Sequence, residues 1–154
     1  MKTNLFNSNL AEIKVTYSTK ISPSERQKIS SSKDAAEIFR SIWTDSIELR
    51  ECFFILLLNR ANMVLGWYRI SEGGLSGTVA DPKLIFSIAL KCNASSIIMA
   101  HNHPSGNTQP SQSDLTLTKK ISDAGKVLEI TCLDHLILTV ESYYSFADEG
   151  LIVS

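Results

Sequence analysis

Apolar residues recur along the chain with two spacings, one typical of amphipathic helices and one typical of strands. Helical spacing predicts helices over 34–44, 81–92 and 111–125, and a short helical turn over 143–146. The second helix has a clear start at Asp81-Pro82, because Asp caps a helix and Pro suits its first turn. Alternating positions or short apolar runs predict strands over 12–17, 51–59, 63–70, 96–100, 127–131 and 136–140. Residues 71–77, which include three glycines, are predicted to be irregular.

Helices that alternate with strands, including antiparallel neighbours, predict an α/β or α+β fold with a mixed sheet. A chain of 154 residues with 44% hydrophobic residues suits one domain with a substantial core. Residues 1–33 are interpreted as an N-terminal extension, partly flexible, that contains the strand predicted over 12–17 and a Ser- and Lys-rich loop. The domain itself is predicted to span residues 34–154.

Composition excludes some classes of protein and leaves others open. The net charge is −1, whereas proteins that bind nucleic acid through phosphates usually have a basic excess, so only a local basic patch stays open. No stretch reaches the roughly 20 apolar residues of a membrane span, and the N-terminus has no signal-peptide core. Cys52, Cys92 and Cys132 lie far apart in apolar segments, which predicts reduced core residues and a cytoplasmic protein. The oligomeric state is not indicated.

Two of the three histidines stand one residue apart, directly after a predicted buried strand. In extended backbone, residues i and i+2 point the same way, so His101 and His103 can approach one ion. Asp114, in the first turn of the following predicted helix, is the nearest downstream carboxylate. A catalytic zinc ion typically takes three His or carboxylate ligands and leaves a position for water. The pattern therefore predicts a zinc site formed by His101, His103 and Asp114.

A metal-activated water also needs a general base, usually a Glu that is not itself a ligand. Glu51 opens an otherwise apolar strand, where a carboxylate is costly to bury without a purpose, and is the candidate base. Ser111 could donate a hydrogen bond to the oxyanion of a tetrahedral intermediate. These two residues are the predicted catalytic groups.

Each of these residues also has a plain structural interpretation. A His-x-His pair is often surface decoration, and Ser111-x-x-Asp114 has the pattern of a helix cap. Glu51 could be a solvated residue at a strand edge. His135, the remaining histidine, is interpreted as a hydrogen-bonded residue at the head of a strand; the alternative is a role beside the zinc ligands, with Asp134 orienting it. The metal site is favoured because two His, a Ser and an Asp fall within one short segment.

The combined pattern resembles the JAMM signature of JAB/MPN metalloproteases. Glu51 is followed by His101-x-His103-Pro104, and seven residues separate His103 from Ser111-x-x-Asp114. Within that superfamily the sequence is most similar to the RadC family, over about residues 34–151. The stretches that carry this likeness are 51–58, 77–79, 93–106, 134–137 and 144–151.

The resemblance implies a JAB-type curved mixed sheet flanked by helices, with zinc at one edge. It also implies that His101, His103 and Asp114 bind zinc, that Glu51 polarises the water and that Ser111 supports the intermediate. Longer RadC proteins carry an N-terminal helix-hairpin-helix segment. Residues 1–33 show no such pattern, so the likeness is to the short form.

Three functions follow as hypotheses. The leading one is a zinc-dependent hydrolase of the metallopeptidase or isopeptidase type, acting on a peptide or isopeptide-bearing protein. The second is a DNA-repair-associated protein, after the label attached to RadC, acting on nucleic acid or on another amide or phosphodiester. The third is a non-catalytic, zinc-containing protein-interaction module. A structural zinc normally has four protein ligands, and no fourth is evident in the sequence, which favours the enzyme.

Overall fold

A computed structural model describes residues 9–43, 46–73 and 80–152 of the chain. After a single 3-10 turn at Pro23–Glu25, three helices and five strands follow one another in these ranges. In chain order they are α1 (Ser32–Ile42), β1 (Cys52–Leu58), β2 (Val64–Glu72), α2 (Pro82–Lys91), β3 (Ser96–Asn102), α3 (Gln112–Leu128), β4 (Thr131–Leu138) and β5 (Tyr143–Ser145).

The five strands form one mixed sheet in the order β2-β1-β3-β4-β5. β1 is antiparallel to both β2 and β3, β4 is antiparallel to β5, and β3 and β4 run parallel. Parallel neighbours need a crossover, and α3 provides it between β3 and β4. The mixed α+β sheet flanked by helices in a single domain is therefore confirmed.

Apolar residues cover both faces of the sheet, and β1 supplies both sides. Phe53, Ile55 and Leu57 belong to one core cluster, with buried residues of α2 and with Ile121 of α3. The alternate residues of β1 belong to a second cluster with Ala35, Ala36 and Phe39 of α1. A strand buried on both faces is apolar throughout, which explains the dense run at 52–58. Cys52, Cys92 and Cys132 are buried and form no disulfide, as predicted.

Three predicted elements were wrong. Residues 12–17 form no strand, because Ile13 and Val15 are 86% and 65% exposed and the segment pairs with no strand of the described chain. Residues 143–146 contain a strand, β5, instead of a helical turn, because that segment pairs with the end of β4. The strand predicted over 127–131 is instead the last residues of α3, which runs on to Leu128, followed by a turn that ends where β4 begins at Thr131.

Gly125 explains the third error, because it does not end α3. A Cβ at this position would lie 2.2 Å from the carbonyl oxygen of Ile130, so the glycine lets the chain fold back across the helix. The Ile130 N–H donates to the Gly125 carbonyl at 2.8 Å, and Glu129 takes the left-handed conformation with φ 57°. β4 then begins at Thr131 and carries His135 within it.

The remaining differences concern boundaries. β2 continues through Ser71 and Glu72, and residues 74–77 of the segment predicted to be irregular lie outside the described residues. Ile29 is buried in a core cluster and Lys28 bridges Met63, so packing begins before residue 34. The division between an extension and a domain stays a prediction. Within the described ranges, none of the helices has the length and apolar character needed to cross a membrane.

Candidate metal centre

The two predicted histidine ligands lie at the end of β3. The strand continues through His101 to Asn102, two residues further than predicted, and the His103 N–H extends the ladder by donating to the Leu138 carbonyl of β4 at 2.9 Å. His101 is buried and His103 is half-buried. Extended backbone at this point places both imidazoles on one side of the chain. Their Nε2 atoms lie 3.0 Å apart.

The first turn of α3 supplies the carboxylate. Ser111 is the N-cap, and its hydroxyl accepts from the Asp114 N–H at 3.1 Å while the Ser111 N–H donates to Asp114 Oδ2 at 2.8 Å. This reciprocal capping box is the plain structural interpretation of Ser-x-x-Asp, and it is present. It also fixes the Asp114 carboxylate toward the histidines. The capping role and the metal-binding role are therefore compatible.

The three donors have the spacing of a zinc site. Asp114 Oδ1 lies 3.3 Å from His101 Nε2, and Oδ2 lies 3.4 Å from His103 Nε2. With ligand distances of about 2.0–2.1 Å, the edges of a zinc tetrahedron measure roughly 3.3–3.4 Å. The observed separations of 3.0, 3.3 and 3.4 Å are close to these edges, with the two distances to Asp114 measured from its two different carboxylate oxygens. Within the described ranges, His101, His103 and Asp114 form a group able to hold a metal ion, and neither Glu51 nor His135 belongs to it.

Asp114 is held in its negatively charged form, which suits the binding of a cation. Burial alone would raise the pKa of Asp114, but the imidazoles of His101 and His103 outweigh it and hold that pKa well below its usual range. The Asp114 carboxylate in turn raises the pKa of His103, to which the charge of Glu51 also contributes. His103 Nδ1 lies 2.7 Å from the Asn107 carbonyl, which can only accept, so Nδ1 carries a proton and the neutral ring has its lone pair on Nε2.

Glu51 stands at the edge of this group. The antiparallel register that pairs Phe53 with His101, continued by two residues, places Glu51 opposite His103. Its residue is half-buried, and its carbonyl accepts from the Gly73 N–H at 2.7 Å. The carboxylate has no hydrogen-bond or ion-pair partner in the part of the chain that is described. The structure thus brings Glu51 beside the three donors without making it one of them.

Comparison with known proteins gives the family. The family model of the RadC-like JAB domain matches residues 29–151. A protein named "UPF0758 protein" from Flavobacterium johnsoniae is 46% identical over 125 residues, which cover 81% of this chain and 54% of that protein. Proteins of the same name from Porphyromonas gingivalis and Salinibacter ruber are 40% and 37% identical over 128 residues each, covering 82% and 83% of this chain and 56% and 54% of theirs. The chain belongs to the RadC-like JAB domain family. It spans about half the length of these curated relatives.

Asn102 is a buried polar residue beside the candidate site of this RadC-like JAB domain, and sequence reasoning missed it. It is fully buried between the two histidines. Its Oδ1 accepts from the Cys52 N–H at 2.8 Å, and its Nδ2 donates to the carbonyls of Ile47 and Arg50 at 2.7 and 2.9 Å. These three partners flank Glu51, so Asn102 ties the histidine strand to the segment that bears the candidate base. Its place between the two predicted histidine ligands was the available signal.

His135 lies behind the candidate metal centre of the RadC-like JAB domain. It is fully buried, with its Nε2 2.8 Å from His101 Nδ1 and its Nδ1 2.6 Å from the Thr118 hydroxyl. Both sequence interpretations of His135 therefore apply: it is hydrogen-bonded inside a strand, and it contacts a predicted ligand. Asp134 does not orient the ring, because its carboxylate accepts from the His135 N–H, the Ala147 N–H and the Ser145 hydroxyl. Thr118 fills that place.

Proposed function

We propose that this chain is a zinc-dependent hydrolase that cleaves a peptide or isopeptide bond with an activated water molecule. The observation that carries the proposal is the convergence of His101 Nε2, His103 Nε2 and the Asp114 carboxylate, whose neighbouring donor atoms lie 3.0 to 3.4 Å apart. No fourth donor joins the group within residues 9–43, 46–73 and 80–152, which leaves a position for water. Membership of the RadC-like JAB domain family supports hydrolysis.

Zinc at this position would act as a Lewis acid and lower the pKa of water toward about 7. Glu51 would accept the proton of the attacking water and pass it to the leaving amine. Its position opposite His103 supports this role, as does the absence of a hydrogen-bond or ion-pair partner for its carboxylate among the described residues. A carboxylate committed to an ion pair would be a weaker proton acceptor.

Ser111 would stabilise the oxyanion. Its hydroxyl oxygen accepts from the Asp114 N–H, so its own proton is not used in the helix cap. The residue is exposed, so a substrate carbonyl can reach it. Ser111 would therefore donate to the oxygen on which negative charge develops.

The substrate stays a prediction, as does a location in the cytoplasm. A chain with net charge −1 gives no general electrostatic attraction for nucleic acid, which places a nucleic-acid substrate second. A non-catalytic zinc module comes third, since structural zinc sites normally have four protein ligands. Both alternatives are outcomes of the following experiment.

The experiment is a cleavage screen of the chain loaded with one equivalent of zinc. It uses linear peptides, peptides branched through a lysine side-chain amide, and single- and double-stranded oligonucleotides. We expect cleavage of an amide class that disappears in Asp114→Ala. Cleavage of oligonucleotides alone would favour the second function, and tight zinc binding with no cleavage of any class would favour the third.

A further inference from the structure

A series of buried hydrogen bonds leads away from the metal centre through His101. Thr118 of α3, His135 of β4 and His101 of β3 are 2%, 0% and 2% exposed. Aromatic rings enclose the two imidazoles: Phe53 stacks on His101 with an interplanar angle of 1°, and Phe146 stacks on His135 with an angle of 11°. The hydrogen bonds of these rings are therefore fixed by the protein.

The direction of the series is set at Thr118. Its hydroxyl donates to the Asp114 carbonyl one helical turn earlier, at 2.7 Å. A backbone carbonyl can only accept, and a hydroxyl has a single proton. Toward His135 Nδ1, at 2.6 Å, the Thr118 oxygen must then be the acceptor. His135 therefore carries a proton on Nδ1.

The same reasoning continues to the metal ligand. His135 is fully buried, and its ring nitrogens contact the Thr118 hydroxyl and the His101 imidazole rather than a carboxylate, so the ring is neutral and its Nε2 has a free lone pair. That nitrogen lies 2.8 Å from His101 Nδ1 and accepts its proton. A neutral His101 with the proton on Nδ1 has a bare Nε2, the atom that faces Asp114 and His103.

The two histidine ligands thus reach the same tautomer by different means. His103 donates its Nδ1 proton to a backbone carbonyl, which is an ordinary partner for a metal-binding histidine. His101 donates to a second histidine, which could itself adopt either tautomer. The Thr118 hydroxyl fixes the tautomer of His135, because its own proton is donated to the Asp114 carbonyl and it can only accept from His135.

We propose that Thr118 and His135 are positioning residues that hold His101 in the Nδ1–H tautomer and so keep its Nε2 available to the metal. The inference rests on the proposed zinc site for its purpose. Its structural part, the proton positions, is measurable in the metal-free chain.

The test compares Thr118→Val, which removes the acceptor at nearly constant volume, with Thr118→Ser, which keeps it. Imidazole tautomers are read by long-range ¹⁵N–¹H NMR without metal, and zinc affinity is read by competition with a chelator. Thr139→Val is the matched control, because Thr139 is a buried threonine whose hydroxyl contacts Ser142 rather than a histidine. Thermal unfolding reports whether each variant is folded.

In the wild type and Thr118→Ser we expect His135 Nδ1 to be the protonated nitrogen. In Thr118→Val, the His135 proton is expected on Nε2, which moves the His101 proton to the metal-facing Nε2. Zinc affinity should fall by about 10- to 100-fold, the usual effect of losing such an outer partner. If Thr118→Val misfolds, His135→Phe replaces it, since a phenyl ring keeps the stacking and removes the acceptor.

The outcomes separate this inference from the proposed function. A wild-type His135 protonated on Nε2 overturns it, whether or not zinc binds. So does a Thr118→Val variant with unchanged tautomers and unchanged affinity in a chain that binds zinc. A wild type with the expected tautomers that binds no zinc contradicts the proposed function and leaves the proton positions established.

Discussion

The two sides of the metal centre are held in different ways. On the β3–α3 side, His101, His103 and Asp114 each have hydrogen bonds that fix the direction of the donor atom. On the β1 side, Glu51 is positioned through the backbone around it, by Asn102 and by Gly73, while its carboxylate has no hydrogen-bond or ion-pair partner in the described ranges. The three donor side chains are held by hydrogen bonds, as a metal site with fixed geometry requires. Among the described residues the Glu51 carboxylate has no such bond, which suits a group that exchanges a proton.

The largest expected effect comes from the rigid side. Asp114→Ala or His103→Ala should abolish stoichiometric zinc binding, because two remaining donors do not make a catalytic zinc site. Metal analysis after dialysis measures it. Asp123→Ala is the matched control, a carboxylate of the same helix that pairs with Lys119 at the surface. Full retention of zinc in both site variants would remove the metal site.

The Glu51 side should respond in turnover and not in metal content. Glu51→Gln keeps the size of the side chain and removes the proton acceptor, so cleavage should fall by about 10²- to 10⁴-fold with zinc retained. Initial rates on the substrate found in the screen measure it. Glu48→Gln, an exposed change in the same connecting segment, should leave the rate unchanged. Undiminished turnover in Glu51→Gln would reject Glu51 as the base.

Ser111 lies on the α3 side, where it caps the helix, and its exposed hydroxyl is also the proposed donor to the oxyanion. Ser111→Asp keeps a cap acceptor but has no hydroxyl to donate, whereas Ser111→Thr keeps both functions. We expect turnover to fall by about 10²-fold in the Asp variant and to persist in the Thr variant. Helix content from circular dichroism should stay the same in both. Equal turnover in the two variants would show that Ser111 acts only as the helix cap and does not stabilise the oxyanion.

The smallest effect is the pH dependence of the metal-free chain. The lowered pKa of Asp114 adds stability that is present above about pH 4 and is lost as the pH falls. The raised pKa of His103 adds stability that is present below about pH 6.5 and is lost as the pH rises through that pKa. Urea midpoints in a chelator should therefore peak between these limits. Asp114→Asn should flatten the profile, and an unchanged profile would contradict this pairing.

The sequence predicted the parts of this molecule that depend on local patterns. The helix starts at Asp81-Pro82 and at Ser111 are where expected, and the His-x-His pair and Asp114 converge because a strand end and a helix start meet across one short loop. β1 was predictable from its unbroken apolar run.

What the sequence could not predict depends on partners that are distant along the chain. The alternation at 12–17 has the pattern of a strand and no strand to pair with, while β5 is a strand only because β4 lies beside it. Thr118 and Asn102 look like ordinary polar residues until the fold places His135 and the backbone around Glu51 against them. Gly125 has the appearance of a helix end, yet its role is to admit the Ile130 carbonyl.

The Asn102 side chain has a consequence for how much the domain can vary. It forms three hydrogen bonds, with the backbone of residues 47, 50 and 52, so one amide group fixes the spacing of these three residues. An insertion ahead of residue 47 leaves that spacing intact, whereas one extra residue between 47 and 52 puts at least one partner out of register. Asn102 therefore constrains the length of the six residues 47–52, which include Glu51, and sets no such constraint on the chain before residue 47.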